Sequence, residues 1–226
     1  MLGMVAWKGL LMPAPARIDQ QALLAAMFGM LDEQGLSGLS LRAVAARLGV
    51  KAASLYGHVS GKAELLTMVS DAVCRSALAG LSADAGWRAC ARDLAAGLRR
   101  ELATHPGAAA VVASCPVSAE LYRELGPLVA ALAGQMRRGP SETAWALQSI
   151  YLFTAAHALA EHGDPPAAPT APREYYDSWF EFAIGTFLDG LEANTGPGAR
   201  GSGAPPRASH PRDPQPDAMD MEEGST

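Results

Sequence analysis

Apolar residues recur along the chain at three- and four-residue spacings, the signature of helices packed on one face, and no segment alternates well enough to predict a strand. Leu23, Leu24, Met27, Met30 and Leu31 form the first stripe, in a helix predicted from Ile18 to Gln34 and ended by Gly35 as a left-handed cap. Leu41, Val44, Ala45 and Leu48 form the second, in a short helix with Ser40 placed to cap its free backbone N–H groups. Gly49 breaks that helix, and Val50 leads into another short one backed by Leu55 and Val59. Two short helices on either side of a glycine turn make a helix-turn-helix candidate. Ser60 is expected to cap a longer helix through Lys62, Leu65, Leu66, Val69, Val73 and Leu78, stopping near Gly80.

Five further helical stretches follow: Trp87 to Ala103, a short piece after Pro106, Ser118 to Arg137, Ser141 to Glu161, and Tyr175 to Glu192. The segment GDPPAAPTAP at 163–172 cannot be helical, because its prolines lack N–H donors and restrict the residues before them. The pattern therefore predicts an all-α chain of about nine helices. It divides into an arm at 1–16, a helix-turn-helix domain at 17–66, a helical body at 67–194 and a tail at 195–226. The tail is rich in Gly, Pro and Ser and poor in large apolar residues, a composition expected to be disordered. The start, MLGMVAWKGLLMPAPA, lacks the basic n-region of a signal peptide and reads as a loose arm or as a start assigned upstream of Met12.

With 226 residues, 49% of them apolar, the chain can build a substantial core. Its net charge of -5 argues against a nucleic-acid partner until it is divided along the sequence. Lys8, Arg17, Arg42, Arg47, Lys51 and Lys62 against Asp19, Asp32, Glu33 and Glu64 leave the first 66 residues at +2, so the rest carries -7. A small basic head on an acidic body is compatible with DNA binding. Cys74, Cys90 and Cys115 form no CxxC pair and suit free thiols in a reducing cytoplasm better than a zinc site or a disulfide framework. No run approaches the roughly 20 apolar residues that span a bilayer.

Helical spacing sorts residues 51 to 58 into faces. Leu55 points inward, Lys51, Ser54 and His58 share an outer stripe, and Ala52, Ala53 and Tyr56 lie beside it. Small side chains at Ala52, Ala53 and Gly57 would let the backbone seat closely in a major groove, with Tyr56 and His58 as phosphate or base donors. Lys62 would meet the phosphate line at the start of the next helix.

The segment LSLRAVAARLGVKAASLYGHVSGKAELL at 39–66 closely resembles the DNA-binding segment of the TetR (tetracycline repressor) family. There, L-x-x-R-x-x-A-x-x-L-G-V is followed by a recognition helix ending L-Y-x-H-V-x-x-K-x-x-L-L. The resemblance implies that Arg42 reaches a guanine edge, and that Ser54, Tyr56, His58 and Lys62 take phosphate or base contacts. The tetracycline repressor has Gln, Pro and Trp where this chain has Ala52, Ala53 and Gly57, so a different operator is expected, with Lys51 supplying part of the readout.

Trp87, LATHPGAAAV at 102–111, Pro116 and LFTAAHAL at 152–159 resemble the family's regulatory domain, extending the likeness over about 17 to 192. The body is then implied to be a ligand-binding and dimerisation domain whose last two helices pair with a second copy. Aligned on those residues, Leu94, Val112 and Pro127 fall near positions where the tetracycline repressor has a drug-contacting Asn, a magnesium-binding His and a drug-contacting Gln. Aliphatic side chains cannot coordinate magnesium, so a more apolar effector is expected, without metal or cofactor. Candidate effector contacts are His105, Tyr122, Trp145, Gln148, Tyr151 and His157.

The combined expectation is a cytoplasmic homodimeric repressor that binds double-stranded operator DNA, has no membrane partner and is released by a small molecule. A constitutive DNA-binding regulator without effector is one alternative. A helical enzyme using His157 and Glu161, four apart on one face, is the other. That spacing misses the zinc-hydrolase patterns, and there is no G-x-S-x-G, P-loop or dinucleotide fingerprint.

Overall fold

The computed structural model describes residues 19–57, 59–163 and 171–194. The predicted arm, the predicted tail, His58 and residues 164–170 of the proline-rich stretch lie outside the described residues. Among these there are ten α-helices and two 3-10 turns, with no strand. In chain order they are α1 (Gln20–Gly38), α2 (Leu41–Arg47), α3 (Ala52–Leu55), α4 (Lys62–Leu78), a 3-10 turn (Ala83–Ala85) and α5 (Trp87–Thr104). A second 3-10 turn (Pro106–Ala108) leads into α6 (Ala109–Ser114), α7 (Ala119–Glu124), α8 (Gly126–Met136), α9 (Pro140–His162) and α10 (Arg173–Ala193).

Local chemistry sets the head. The Ser40 hydroxyl accepts the Ala43 N–H at 3.2 Å, capping α2. Gly49 takes φ +67°, which lets the Val50 N–H return to the Ala45 carbonyl at 3.0 Å and the Gly49 N–H to Ala46 at 3.1 Å. This closure ends α2 and turns the chain into α3. Gly35 does take φ 66°, yet one more turn follows it as far as Gly38. Ser60 is not the cap of α4: Gly61 occupies that position, while the Ser60 N–H and hydroxyl both donate to Glu64 Oε2 at 2.6 and 2.7 Å. Those bonds hold the Glu64 carboxyl below the usual carboxylate range.

The stretch expected as one helix from Ser118 to Arg137 is two. Pro127 has no N–H to continue the ladder of α7, so the chain restarts as α8 with Pro127 in its first turn.

One core serves head and body. It joins Leu23, Met27 and Leu31 of α1, Val44 of α2 and Leu55 of α3 to Leu65, Val69 and Val73 of α4, and continues into Leu98, Val112 and Ala155. The boundary expected between residues 66 and 67 therefore falls inside α4. A second cluster, Ala91, Ala95, Ile150, Phe180, Ile184 and Leu188, ties α5, α9 and α10 together.

A polar seam reinforces the junction. The Gly107 N–H donates to Asp32 Oδ1 at 3.0 Å, and His105 Nδ1–H donates to Asp32 Oδ2 at 2.9 Å while its ring stacks on Phe28 at 4.4 Å. A Cβ on Gly107 would lie 2.1 Å from the Leu31 carbonyl oxygen, so only glycine permits this approach.

Candidate nucleic-acid interface and core cavity

At the head, burial of Leu55 and Val59 fixes which side of α3 faces out. Lys51, Ser54, Tyr56, Lys62 and Arg42 are exposed, and Ala52 is half-buried. Tyr56 leaves 59% of its surface open although it is a large aromatic residue. Lys62 Nζ donates to the Leu36 carbonyl at 3.3 Å, which pins it beside the end of α1 and leaves two ammonium protons for another acceptor. Arg47 is committed elsewhere, in a two-pronged pair with Glu33 at 2.7 Å for each bond. A Cβ on Gly57 would meet only the Ser54 carbonyl, at an ordinary 3.5 Å, so the chain's own packing does not require glycine there.

In the body, α4 to α9 line a cavity of about 420 Å³ that opens to solvent beside Tyr122 and Leu152. Aliphatic residues such as Leu78, Leu94, Val112, Leu132 and Leu147 line most of it, and Tyr122, Gln148 and Tyr151 supply polar atoms. Among the described residues no charged side chain lines it. Leu94 and Val112, two of the positions aligned with the drug- and magnesium-binding residues, are on its wall, whereas at the third Leu128, not Pro127, faces it. All three cysteines line it as well. Burial and then the neighbouring Asp71 charge push the Cys74 thiol up to about 11, and burial raises Cys90.

Three of the residues expected to contact an effector do not line this cavity. His105 sits at the seam with Asp32. Trp145 is 46% exposed and lies off the cavity face of α9. His157 is buried among Tyr176, Trp179 and Phe180, and its Nε2–H donates to the Tyr176 carbonyl at 3.0 Å. Its intended partner Glu161 is gripped by Arg99 at 2.7 and 2.8 Å, and Arg99 also reaches Asp177 at 2.6 Å. Burial alone would raise the Glu161 carboxyl, but the Arg99 bonds and charge outweigh it and hold it low. Burial lowers His157 below the ordinary histidine value. This group is a structural ion-pair network between helices.

The wall of the cavity is hydrogen-bonded to α4. The Asp71 carboxylate accepts from the Ser118 N–H at 2.7 Å and from its hydroxyl at 2.6 Å. Ser70 Oγ donates to the Cys115 carbonyl at 2.9 Å, and Arg75 pairs with Glu124 at 3.3 Å. The helix that starts at Lys62 is thus fastened, further along, to the segment bearing Cys115 and Tyr122.

Residues 23–69 match the family described as bacterial regulatory proteins, tetR family. An HTH-type transcriptional regulator of Saccharopolyspora erythraea is 36% identical over 101 residues, covering 45% of this chain and 43% of that protein. The HTH-type transcriptional repressor DrrR1 of Streptomyces coeruleorubidus is 41% identical over 87 residues, 38% of this chain and 32% of its own length. The chain therefore spans less than half the length of these curated relatives. A crystal structure of a possible TetR family transcriptional regulator from Streptomyces coelicolor A3(2) superposes with a TM-score of 0.63 at 26% identity, covering 77% of this chain and 99% of that one. The matched family is thus that of the helix-turn-helix head, residues 23–69.

The links that tie head to body are the residues that sequence reasoning missed. Asp71 and Ser118 are 47 positions apart, and Asp32 and Gly107 are 75 apart. No local pattern marks either pair. The cysteines were visible as unpaired thiols, but nothing in their spacing places all three on one wall. No helix among the described residues is long and apolar enough to cross a membrane.

Proposed function

We propose that the chain is a cytoplasmic homodimeric repressor that reads a near-palindromic operator with two helix-turn-helix heads and lets go when a small molecule fills the core cavity. Arg42, Lys51, Ser54, Tyr56 and Lys62 make the DNA contacts, with the backbone at Ala52 and Gly57 seated close to the duplex. His58 joins them by its place in the motif. Tyr122, Gln148 and Tyr151 contact the effector. The relatives, an HTH-type transcriptional regulator and an HTH-type transcriptional repressor, support the DNA-binding role.

The observation that carries this reading is α4 itself. Its first residue, Lys62, is one of the proposed DNA contacts, and Cys74 and Leu78 near its other end line the cavity. A ligand that displaces the wall through Ser118 and Cys115 pulls on the same helix that positions the head. A typical coupling of about 1 to 3 kcal/mol would weaken operator binding about 5- to 150-fold.

Dimerisation through α9 and α10 is supported by the apolar side chains these helices expose, Trp145 and Leu152 on one and Tyr175, Trp179 and Phe182 on the other. Phe182 leaves 74% of its surface open. Spacings of three, four and seven residues put each set on one face. The bonds of His157 to the Tyr176 carbonyl and of Glu161 to Arg99 favour this reading over the enzyme alternative.

Selection of bound DNA from a random pool tests the proposal. An inverted repeat with half-sites about one helical turn apart, or a multiple of it, is the expected result. Recovery of no preferred sequence at low salt would overturn it.

A further inference from the structure

The proposed reader α3 is four residues long, and among them only Leu55 is buried. So short a helix cannot hold its own pose, which passes to the chain on either side of it. Both sides are tethered to α1. After α3, the Lys62 ammonium donates to the Leu36 carbonyl at 3.3 Å. Before it, Arg47, the last residue of α2, reaches Glu33 with both prongs of its guanidinium, at 2.7 Å each.

The sequence makes room for that reach. Gly29 lies one turn before Glu33 on the same face of α1. The guanidinium rests on its bare backbone: a Cβ on Gly29 would stand 2.6 Å from Arg47 Nη2 and 3.3 Å from Cζ. Glycine is a poor helix former, so its place inside α1 costs helix stability, and the passage of Arg47 accounts for it. Arg47 lies roughly 140° round α2 from Arg42, so it turns to α1 while Arg42 is left exposed. The apolar stripe of α2, Leu41, Val44 and Ala45, seats the helix without stopping it from rolling. A planar fork on a carboxylate fixes direction as well as distance.

We propose that Arg47 and Glu33 are positioning residues for operator reading: without touching DNA, the pair sets the angle at which Arg42 on α2 and the side chains of α3 are presented. The inference rests on the DNA-binding reading of the head. Both side chains are partly exposed, 36% and 55%, so an effect of a few-fold is expected rather than one of orders of magnitude.

Arg47→Met, Glu33→Gln and the double variant are compared with the parent, as full chains. Fluorescence anisotropy over a range of salt measures binding to the duplex recovered by random-pool selection and to a duplex of scrambled sequence. Each single variant is expected to lower the ratio of the two affinities about 2- to 5-fold, the double variant no further than the worse single, with the salt slope as in the parent. A phosphate contact by Arg47 would look different: Arg47→Met would flatten the salt slope by about one or more, and Glu33→Gln, by freeing the guanidinium, would tighten both duplexes. That result would overturn the proposal, as would losses that add in the double variant. An unchanged affinity ratio in the single variants would overturn it too, even with a lowered melting temperature, because the pair would then serve stability alone. A parent chain with no preference for the selected duplex would remove the operator reading, and the inference with it.

Discussion

Asp71 of α4 holds Ser118 by two hydrogen bonds at once, one to its backbone N–H and one to its hydroxyl, while that hydroxyl also caps α7 by accepting the Leu121 N–H at 3.1 Å. A carboxylate in the body of one helix thereby fixes where another begins. Asp71→Asn keeps the shape but loses the charge assistance and presents an N–H₂ where an acceptor is needed. It is expected to cost about 1 to 3 kcal/mol of stability. Hydrogen exchange should speed up locally at residues 118–124. Unchanged protection there would show that the pair does not anchor α7.

In the proposed function Arg42 reads a base and Lys62 holds the phosphate backbone, and two substitutions separate these roles. Arg42→Ala should cost about 1 to 3 kcal/mol on the selected operator and relax preference at one base pair. Lys62→Ala should weaken all sequences alike and reduce the salt slope by about one, alongside a small loss of melting temperature from its bond to Leu36. Equal losses on every sequence for Arg42→Ala would remove Arg42 from base readout.

Gly107→Ala puts a methyl group where the Leu31 carbonyl already stands. Backbone must give way, and a loss of about 3 kcal/mol or more is expected, seen as a melting temperature lower by roughly 6 to 12 °C. A variant as stable as the parent would mean that α1 and the Pro106–Ala108 turn are not in contact in solution.

Acid should destabilise the body before it affects the carboxylates. Burial holds His157 and His162 below the ordinary 6.5, so the unfolded chain binds more protons than the folded one as pH falls below that value. Their contribution is present above 6.5 and is lost as pH falls toward and through the lowered folded values, with a slope of at most about 1.4 kcal/mol per pH unit for each group. Glu161, also lowered, adds a loss in the same direction below 4.5. Melting temperatures between pH 7.5 and 5.5 should therefore fall. His157→Gln, which keeps a donor for the Tyr176 carbonyl, should flatten the profile; an identical slope in the variant would exonerate His157.

The head was legible because its determinants are local. Ser40 caps a helix three residues away from the N–H it binds, Gly49 turns the next, and Leu55 sets the face of α3. The body was legible as helices but not as a site. Gly126–Pro127 carried the signal for the break between α7 and α8, which the apolar stripe on either side obscured. Tyr122, Gln148 and Tyr151 line the cavity while Trp145 does not, because the side on which a helix meets the others depends on the rest of the packing. His157 and Glu161 have the spacing of a catalytic pair, yet Arg99, 62 positions from Glu161, decides what they do.

The meeting of Gly107 with Leu31 also constrains how such a regulator can be re-engineered. A chimera that grafts this head onto a foreign sensor inherits a helix whose backbone is bare of cover at Leu31 and an aspartate at 32 shaped for a particular loop. Its recipient must bring an equivalent glycine and N–H, so the transplantable unit is the head together with the loop it leans on.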